Sequence, residues 1–185
     1  MTIKETSIRG CYHIIPKIFE DNRGYFFESF NQKLFEEAIG TKIEFVQDNQ
    51  SRSSFGVVRG LHLQLGSNAQ AKLVRALEGE ILDVAVDVRI DSPTFGKYVS
   101  YLLSEENKHQ LFIPRGFAHG FSVLSEKATI HYKADNYYAP SSESGIIYND
   151  NSLHIDWNLT DNQTITSEKD QLLPTLDELK TILNG

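Results

Sequence analysis

Residues 80–89 alternate in polarity more clearly than any other stretch of the chain, and this alternation is the strongest constraint on the fold. Successive side chains of a strand point to opposite faces, so a period of two is typical of a β-strand whose two faces differ. One predicted face consists of four aliphatic side chains, Leu82, Val84, Val86 and Val88. The other face consists of Asp83, Ala85 and Asp87. The segment therefore predicts a strand that packs its apolar face on a core.

Short runs of the same kind fill the middle of the chain. They lie at residues 45–47, 57–64, 72–77, 98–103, 110–113, 121–124 and 128–134. Turn-forming sequences separate them, among them Glu78-Gly79-Glu80, Asp91-Ser92-Pro93, Phe95-Gly96 and Pro114-Arg115-Gly116. Many short strands with no helix between them predict an antiparallel β-sandwich or barrel.

Two helices are predicted, one near each end of the chain. Residues 31–39 place four apolar side chains on one side, and Gly40 follows where a helix would end. The sequence Thr175-Leu176-Asp177-Glu178 is typical of a capping box and precedes a second apolar pattern. Residues 141–145 are predicted to form a loop. Because no repeat or linker interrupts the pattern, residues 1–185 are expected to form a single domain.

Composition excludes several classes of protein. Asp and Glu number 25 against 18 Lys and Arg, a net charge of −7, so no general binding of nucleic acid is expected. A local basic pocket for a small phosphate compound is compatible with this charge. The one cysteine, Cys11, excludes an intrachain disulfide and any multi-cysteine metal cluster. No apolar run is long enough to span a membrane and the first ten residues lack a signal-peptide core, so a cytoplasmic protein is expected.

The segment Arg59-Gly60-Leu61-His62-Leu63-Gln64 is the first candidate for chemistry. In a strand, the leucines would pack on the core while His62 and Gln64 share the opposite face. In a small barrel that face lines a cavity, where a histidine can move protons near neutral pH. The alternative is a buried histidine that donates a hydrogen bond to a backbone carbonyl.

The segment Pro114-Arg115-Gly116-Phe117-Ala118-His119 matches P-x-G-x-x-H, the second half of the cupin metal pattern. The turn is expected to place His119 at the start of the next strand, and His62 lies where the first half would begin. That first half usually continues with a second histidine and a nearby glutamate, but here Gln64 and residues 65–68 supply neither. Two histidines without a third protein ligand seldom hold a catalytic divalent ion. The sequence therefore predicts a cupin-type barrel without a metal.

Three further residues are candidate proton-transfer groups. Lys72 shares a strand face with apolar neighbours, which is an unusual setting for an ammonium group. Tyr132 lies on one face of the predicted strand at 128–134, and Asp170 lies in a polar stretch with no predicted partner. Each also has an ordinary structural explanation, since lysines extend to solvent, strand tyrosines pack and acidic loop residues are solvated.

The segment 21–30, Asp-Asn-Arg-Gly-Tyr-Phe-Phe-Glu-Ser-Phe, combines an arginine turn with a strand rich in aromatic rings. Such a combination suits a nucleotide, because rings stack on a base while the guanidinium of Arg23 binds phosphate oxygens. A hydrophobic dimer surface is the alternative, and the two could coincide.

These residues occur within a series of ordered segments that runs from about Asp21 to Asp170. The segments are Asp21-x-Arg23-Gly24-x-Phe26-x-Glu28, Phe45-Val46-Gln47-Asp48-Asn49-x-Ser51, Gly56-Val57-Val58-Arg59-Gly60-Leu61-His62-x-Gln64, Lys72-Leu73-Val74, Gly79-Glu80-Ile81-x-Asp83-Val84-Ala85-Val86-Asp87, Pro114-x-Gly116-Phe117-Ala118-His119-Gly120-Phe121, Tyr132-Lys133 and Ser167-Glu168-Lys169-Asp170. The series resembles the dTDP-4-dehydrorhamnose 3,5-epimerase family. The resemblance implies a mainly β fold: a cupin-type antiparallel β-sandwich or jelly-roll barrel with a few short helices.

The resemblance also implies a mechanism on dTDP-4-dehydro-6-deoxy-D-glucose, whose C4 ketone acidifies the hydrogens on C3 and C5. His62, paired with Asp170, would be the base that removes each proton. Lys72 would stabilise the enolate oxygen at C4, and Tyr132 would return a proton from the opposite face. The family implies no cofactor and no metal for this reaction.

Substrate-binding roles follow from the same resemblance. The residues implied are Arg23, Glu28, Gln47, Asn49, Arg59, Lys72, His119, Glu143 and Lys169. In the family the segment 23–28 serves the site of the neighbouring subunit, so a homodimer with exchanged N-terminal strands is implied. Leu63 and Ala69 replace a usual aromatic residue and a common proline.

Two alternatives to double epimerisation remain open. A related enzyme with the same barrel would invert only C3 or only C5, or would isomerise the keto group. A cupin that only binds a nucleotide sugar would have lost its proton-transfer groups, whereas all four are present in this sequence.

Overall fold

The computed structural model describes residues 1–184 as strands in two antiparallel sheets with three helices at their margins. The strands are β1 (Thr2–Glu5), β2 (Tyr12–Ile15), β3 (Ile18–Asp21), β4 (Gly24–Phe27), β5 (Gln47–Ser54), β6 (Val58–Gln64), β7 (Lys72–Glu78), β8 (Glu80–Asp87), β9 (Tyr98–Ser104), β10 (Gln110–Ile113), β11 (Phe117–Val123), β12 (Lys127–Ala134) and β13 (Glu143–Gly145). The helices are α1 (Gln32–Ile39), α2 (Glu168–Gln171) and α3 (Leu176–Asn184).

One sheet has six strands in the order β1-β2-β10-β7-β12-β5, and the other has five in the order β13-β6-β11-β8-β9. Strands β3 and β4 pair with each other as a separate hairpin. All strand pairs within the two sheets are antiparallel. The mainly β, cupin-type sandwich predicted from the sequence is therefore confirmed.

Apolar side chains fill the space between the sheets and also cover the outer face of the five-stranded sheet. The inner cluster includes Val74, Ile81, Ala85, Leu111 and Ile130. The outer cluster includes Leu61, Leu82, Val84, Val86 and Trp157. Strand β8 is thus buried on both faces, and its alternation separates two cores rather than a core from solvent. Because of this, the carboxylates of Asp83 and Asp87 are buried in the protein interior.

The two predicted helices are confirmed. Asn31 caps α1 by accepting a hydrogen bond from the Leu34 N–H, and Gly40 ends the helix with φ of 70°. At α3, Thr175 and Glu178 exchange the two hydrogen bonds of a capping box. Within residues 1–184, no helix combines the length and hydrophobicity needed to span a membrane.

Several predicted boundaries are wrong. The strand expected at 45–47 is β5, which begins at Gln47 and runs to Ser54 with a polar sequence. Strand β11 begins at Phe117, so His119 lies inside the strand and not at its start. Residues 143–145, expected to be a loop, form the edge strand β13 against β6. The sequence analysis also missed β1, β2 and β3, which have four residues each; β1 and β3 are mostly exposed.

Two glycines bring β6 and β11 into direct backbone contact. Gly60 has φ of +119°, and a Cβ built on it would lie 2.6 Å from the Cα of Gly120. A Cβ on Gly120 would lie 2.7 Å from the Arg59 carbonyl oxygen. Only glycine satisfies both the positive φ and the close approach. The contact coincides with a shift of register between His119 and Phe121, and it leaves His119 directly opposite His62.

Candidate active site

The interior faces of the two sheets bring four of the predicted site residues close to one another. His62 on β6 and His119 on β11 are paired neighbours in the five-stranded sheet. Lys72 on β7 and Tyr132 on β12 are interior residues of the opposing six-stranded sheet. The base candidate and the acid candidate therefore lie on different sheets, on the faces that the two sheets turn toward each other.

The imidazole of His62 is held by a carboxylate from the C-terminal part of the chain. Its Nε2 lies 2.8 Å from Oδ1 of Asp170, whose second oxygen accepts a hydrogen bond from the Gly60 N–H at 3.2 Å. Burial opposes ionisation of Asp170, but the hydrogen bond from His62 and further donors outweigh it and hold the pKa of the carboxyl below its usual range. Since an ionised carboxylate only accepts hydrogen bonds, Nε2 of His62 holds a proton, and Nδ1 is the nitrogen left to exchange a proton with a substrate.

Backbone pairing delivers Asp170 to this position. Residues 56–58 and Ile165 exchange two backbone hydrogen bonds, each 2.8 Å long, which dock the C-terminal segment beside β6. Ser167 then caps α2 by accepting a hydrogen bond from the Asp170 N–H at 3.1 Å. The short helix turns the Asp170 side chain inward, where it is 4% exposed.

A second histidine–aspartate pair lies beside the first. Nε2 of His119 lies 2.8 Å from Oδ1 of Asp83, a residue of β8 that is 0% exposed. Burial lowers the pKa of His119, and the attraction of Asp83 only partly compensates. The other oxygen of Asp83 is buried and has no hydrogen-bond partner within residues 1–184. In this part of the chain no three His, Cys, Asp or Glu side chains are grouped so as to hold a metal ion.

Lys72 and Tyr132 face these pairs from the opposing sheet. Nζ of Lys72 lies 5.7 Å from the centroid of the Tyr132 ring. Burial lowers the pKa of Lys72 to about 8, against the attraction of Asp83 and Glu143. Burial raises the pKa of Tyr132, so its phenol stays protonated at neutral pH. The site therefore contains a cation that can be discharged in mild alkali and a neutral acid.

His62 and Asp170 also line a cavity of about 430 Å³, and most of its polar lining is charged. The lining includes Arg59, His62, Glu143, Lys169 and Asp170. Nζ of Lys169 lies 2.6 Å from Oε2 of Glu143. Burial opposes ionisation of Glu143, but its bonds from Lys169 and Tyr138 prevail and lower the pKa of the carboxyl. The Arg59 guanidinium donates a hydrogen bond to Ser53 at 3.0 Å.

The edge strand β5 contributes two amides to the same region. Gln47 donates a hydrogen bond to the Asn49 side chain at 2.9 Å and accepts one from the Tyr138 N–H at 3.0 Å. Asn49 lies directly opposite Tyr132 in the pairing of β5 with β12. Both amides therefore lie next to the acid candidate.

Arg23 and Glu28 are not brought to this cavity within one chain. Arg23 lies in the turn of the β3–β4 hairpin, where its side chain is 85% exposed and bonds Asp21 at 2.6 Å. Glu28 follows β4 and is also exposed. The hairpin displays Phe19, Tyr25 and Phe26 to solvent.

The sequence analysis assigned no role to two residues of this site. Asp83 was placed on the polar face of its strand, and the signal for it was a carboxylate in an otherwise apolar buried run. Tyr138 was missed altogether. Its hydroxyl donates a hydrogen bond to Glu143 at 2.8 Å while more than half of the residue is exposed, which leaves a ring free to stack beside the cavity.

The fold is a cupin-type sandwich with candidate proton-transfer groups in its interior, and this arrangement is compatible with an isomerase. The sequence profile of the dTDP-4-dehydrorhamnose 3,5-epimerase family matches residues 5–178. The chain belongs to the dTDP-4-dehydrorhamnose 3,5-epimerase family.

Individual relatives agree with this assignment. The dTDP-4-dehydrorhamnose 3,5-epimerase of Salmonella typhimurium is 54% identical, covering 96% of this chain and 97% of its own. The crystal structure of the same enzyme from Elizabethkingia anophelis is 54% identical with a TM-score of 0.93, covering 96% of this chain and 97% of its own. A dTDP-6-deoxy-D-glucose-3,5-epimerase from Legionella pneumophila, solved with dTDP-4-keto-L-rhamnose, is 50% identical with a TM-score of 0.93, covering 98% of this chain and 96% of its own.

Proposed function

We propose that this chain inverts C3 and C5 of dTDP-4-dehydro-6-deoxy-D-glucose to give dTDP-4-dehydro-L-rhamnose, a step of dTDP-L-rhamnose biosynthesis. The observation that supports it best is that the His62–Asp170 pair and the acid Tyr132 lie on the facing sides of the two sheets. Inversion needs a proton removed from one face of the sugar and returned to the other. Two groups on opposite walls meet that requirement.

His62 acts as the base through Nδ1. Asp170 fixes the tautomer by accepting from Nε2 at 2.8 Å, and its negative charge stabilises the imidazolium that forms when the proton arrives. The electron pair left on C3 or C5 moves into the C4 carbonyl and forms an enolate. Lys72 meets the oxygen on which that charge develops, and its partial desolvation strengthens the interaction.

Tyr132 returns the proton from the opposite wall. Its raised pKa keeps the hydroxyl protonated until the enolate carbon accepts the proton. Before the second carbon reacts, the imidazolium of His62 gives its proton to solvent and the phenolate of Tyr132 regains one from solvent. The same cycle, applied once at each carbon, then gives double inversion without any change in oxidation state, and no cofactor takes part in these steps.

The nucleotide lies at the outer end of the cavity in this proposal. Arg59 and Lys169 supply positive charge for the diphosphate, while Glu143, Gln47, Asn49 and His119 supply polar contacts to the substrate. The exposed ring of Tyr138 suits stacking on the base.

Arg23 and Glu28 complete the site of a second copy in a homodimer that exchanges N-terminal strands. The support is their distance from the cavity of their own chain and the exposed aromatic hairpin that holds them. In this proposal residues 1–185 act as one domain, and the nucleotide-sugar substrate makes the cytoplasm the place of action.

The test is incubation with the 4-keto sugar nucleotide in D₂O, followed by a reductase and NADPH and by NMR of the reduced sugar. The proposal predicts deuterium at both C3 and C5 and the L-rhamno product. Deuterium and inversion at one carbon alone would identify a single-centre epimerase. Tight dTDP binding without any exchange would identify a binding protein. His62→Ala is the matched control, and it is expected to bind dTDP without exchange.

A further inference from the structure

Gln64 lies two residues after the base on β6 and points toward the same interior, yet its side chain is fully occupied by backbone groups. Its Nε2 donates to the Asn68 carbonyl at 2.6 Å and to the Tyr137 carbonyl at 3.1 Å. Its Oε1 accepts from the Ala139 N–H at 2.7 Å. The residue is 6% exposed. With both N–H groups used, the amide has no donor left for a substrate.

The backbone groups that Gln64 binds belong to two loops that meet at one end of the cavity. The first loop joins β6 to β7 and the second joins β12 to β13. Further amides connect the same two loops. Gln70 donates to the Asn136 carbonyl at 2.7 Å, Asn136 donates to the Ser67 carbonyl at 3.0 Å, and Asn68 donates to the Ser142 hydroxyl at 2.7 Å.

This set of bonds links the two sheets at the site. The second loop begins just after the strand of Tyr132 and ends at Glu143, and it includes Tyr138. Gln64 is the side chain that joins this loop to the strand of His62. Because it bonds the residues on both sides of Tyr138, it fixes the backbone of that residue at two points.

We propose that Gln64 is a positioning residue that holds the 137–139 segment, and through it Tyr138 and Glu143, in the geometry that binds the nucleotide end of the substrate. The inference deepens the proposed function and rests on it. Because Gln64 acts on groups that bind rather than on groups that transfer protons, its loss weakens substrate binding and leaves the chemical step nearly intact.

The side-chain chemistry explains why a glutamine is needed. The position requires two donors and one acceptor in one plane, buried and within reach of three backbone groups. A glutamate would keep the bond from Ala139 but would place its carboxylate against two carbonyl oxygens. A methionine would fill the same volume and make none of the bonds, leaving three backbone groups without their partner.

The experiment compares Gln64→Met with the wild-type enzyme by steady-state kinetics, by calorimetric titration with dTDP, and by hydrogen–deuterium exchange of the backbone. The expected result is a rise of about tenfold or more in KM and in the Kd for dTDP, with kcat changed by less than about threefold. Amide exchange in residues 136–142 is expected to accelerate at the same time. Gln64→Glu provides a second, polar variant with the same expected KM increase should the methionine variant not fold.

Ser122→Ala is the matched control. It removes a buried side-chain bond to a backbone carbonyl, that of Trp157 at 2.7 Å, outside the cavity. It is expected to leave KM and exchange in 136–142 unchanged. An unchanged KM and dTDP affinity in the Gln64 variants, or a fall in kcat with an unchanged KM, would overturn the inference. Absence of turnover in the wild type would refute the proposed function instead, and loop exchange would still test the role of Gln64.

Discussion

Replacing Asp170 by asparagine tests the tautomer of His62 more directly than removing the histidine. The carboxylate accepts from His62 Nε2 on one oxygen and from the Gly60 N–H on the other. Asparagine offers one acceptor and one donor. Since the Gly60 N–H is a fixed donor, it orients the new amide with its oxygen toward Gly60 and its NH₂ toward His62. The imidazole must then accept a hydrogen bond at Nε2 and hold its own proton at Nδ1. Because Nδ1 is the nitrogen that removes the proton of the substrate, this tautomer cannot act as the base.

The expected loss of kcat follows from the interactions that the Asp170→Asn substitution removes. A hydrogen bond to a charged group contributes about 1.5–3 kcal/mol. The imidazolium would also form in a partly buried cavity where the remaining carboxylate, Glu143, makes no hydrogen bond to it, and the reversed tautomer must first be undone. A total near 4 kcal/mol corresponds to a loss of about 10³ in kcat. Tautomer reversal in the histidine–aspartate pair of serine proteases lowers turnover by about 10⁴, which is of the same order.

The assay is single-turnover deuterium incorporation at C3 and C5, together with dTDP titration. Asp170→Asn should lose exchange at both carbons alike, because one base serves both, while dTDP affinity changes by less than about threefold. Asp150→Asn is the matched control: Asp150 is buried to a similar degree and accepts hydrogen bonds from Leu176 and Ser152 far from the cavity. If Asp170→Asn retained more than a tenth of wild-type kcat, the assigned tautomer would be wrong.

Four other expectations follow from the site and the fold. Tyr132→Phe leaves the base in place, so NMR in D₂O should show hydrogen exchange at C3 or C5 with little fully inverted product; normal double inversion would point to water as the acid. Because the pKa of Lys72 is lowered to about 8, the ammonium is charged below that pH and is lost as pH rises through it. The wild-type kcat/KM should therefore fall above about pH 8, and a flat profile from pH 7 to 9.5 would contradict this role. Gly60→Ala combines a positive φ with a clash and should lower the free energy of unfolding by more than about 2 kcal/mol. Gly24→Ala has a similar φ but open space around it, so it should lower the free energy of unfolding by less. Denaturant titration can measure both changes. The purified protein should sediment as a dimer and keep its activity after treatment with EDTA; a monomer, or activity restored only by a divalent ion, would reverse those expectations.

The sequence predicted the architecture because side chains in a strand alternate between two faces, and this two-residue period is visible in the local sequence of β6–β12. Leu82, Val84 and Val86 do pack together on one face of β8. The pattern did not show that the second face of β8 is also buried. That face contains the carboxylates of Asp83 and Asp87, and buried carboxylates give the same polar–apolar alternation as a face exposed to solvent. The pattern failed for β5, whose sequence from Gln47 to Ser54 is entirely polar and which pairs by its backbone at a sheet edge.

The site was only partly predictable for a related reason. His62 and Gln64 could be placed on one face from strand period alone, since two residues in the same strand keep a fixed relation. Asp170 could not, because its position depends on backbone pairing between residues 56–58 and Ile165, more than a hundred positions apart in sequence. The hydrogen bonds of Gln64 could not be predicted either, since all three partners are backbone groups, which every residue type has in common apart from the missing N–H of proline.

Because of the backbone contact between Gly60 and Gly120, substitutions that change which substrate binds can leave the geometry of proton transfer unchanged. His62 and His119 keep their spacing because two main chains touch, and no side chain acts as the spacer. Cavity walls such as Val57 or Ile165 can therefore be enlarged or reduced to admit a different sugar without moving the imidazoles. An enzyme redesigned along those walls should lose or gain substrates while its pH profile stays the same.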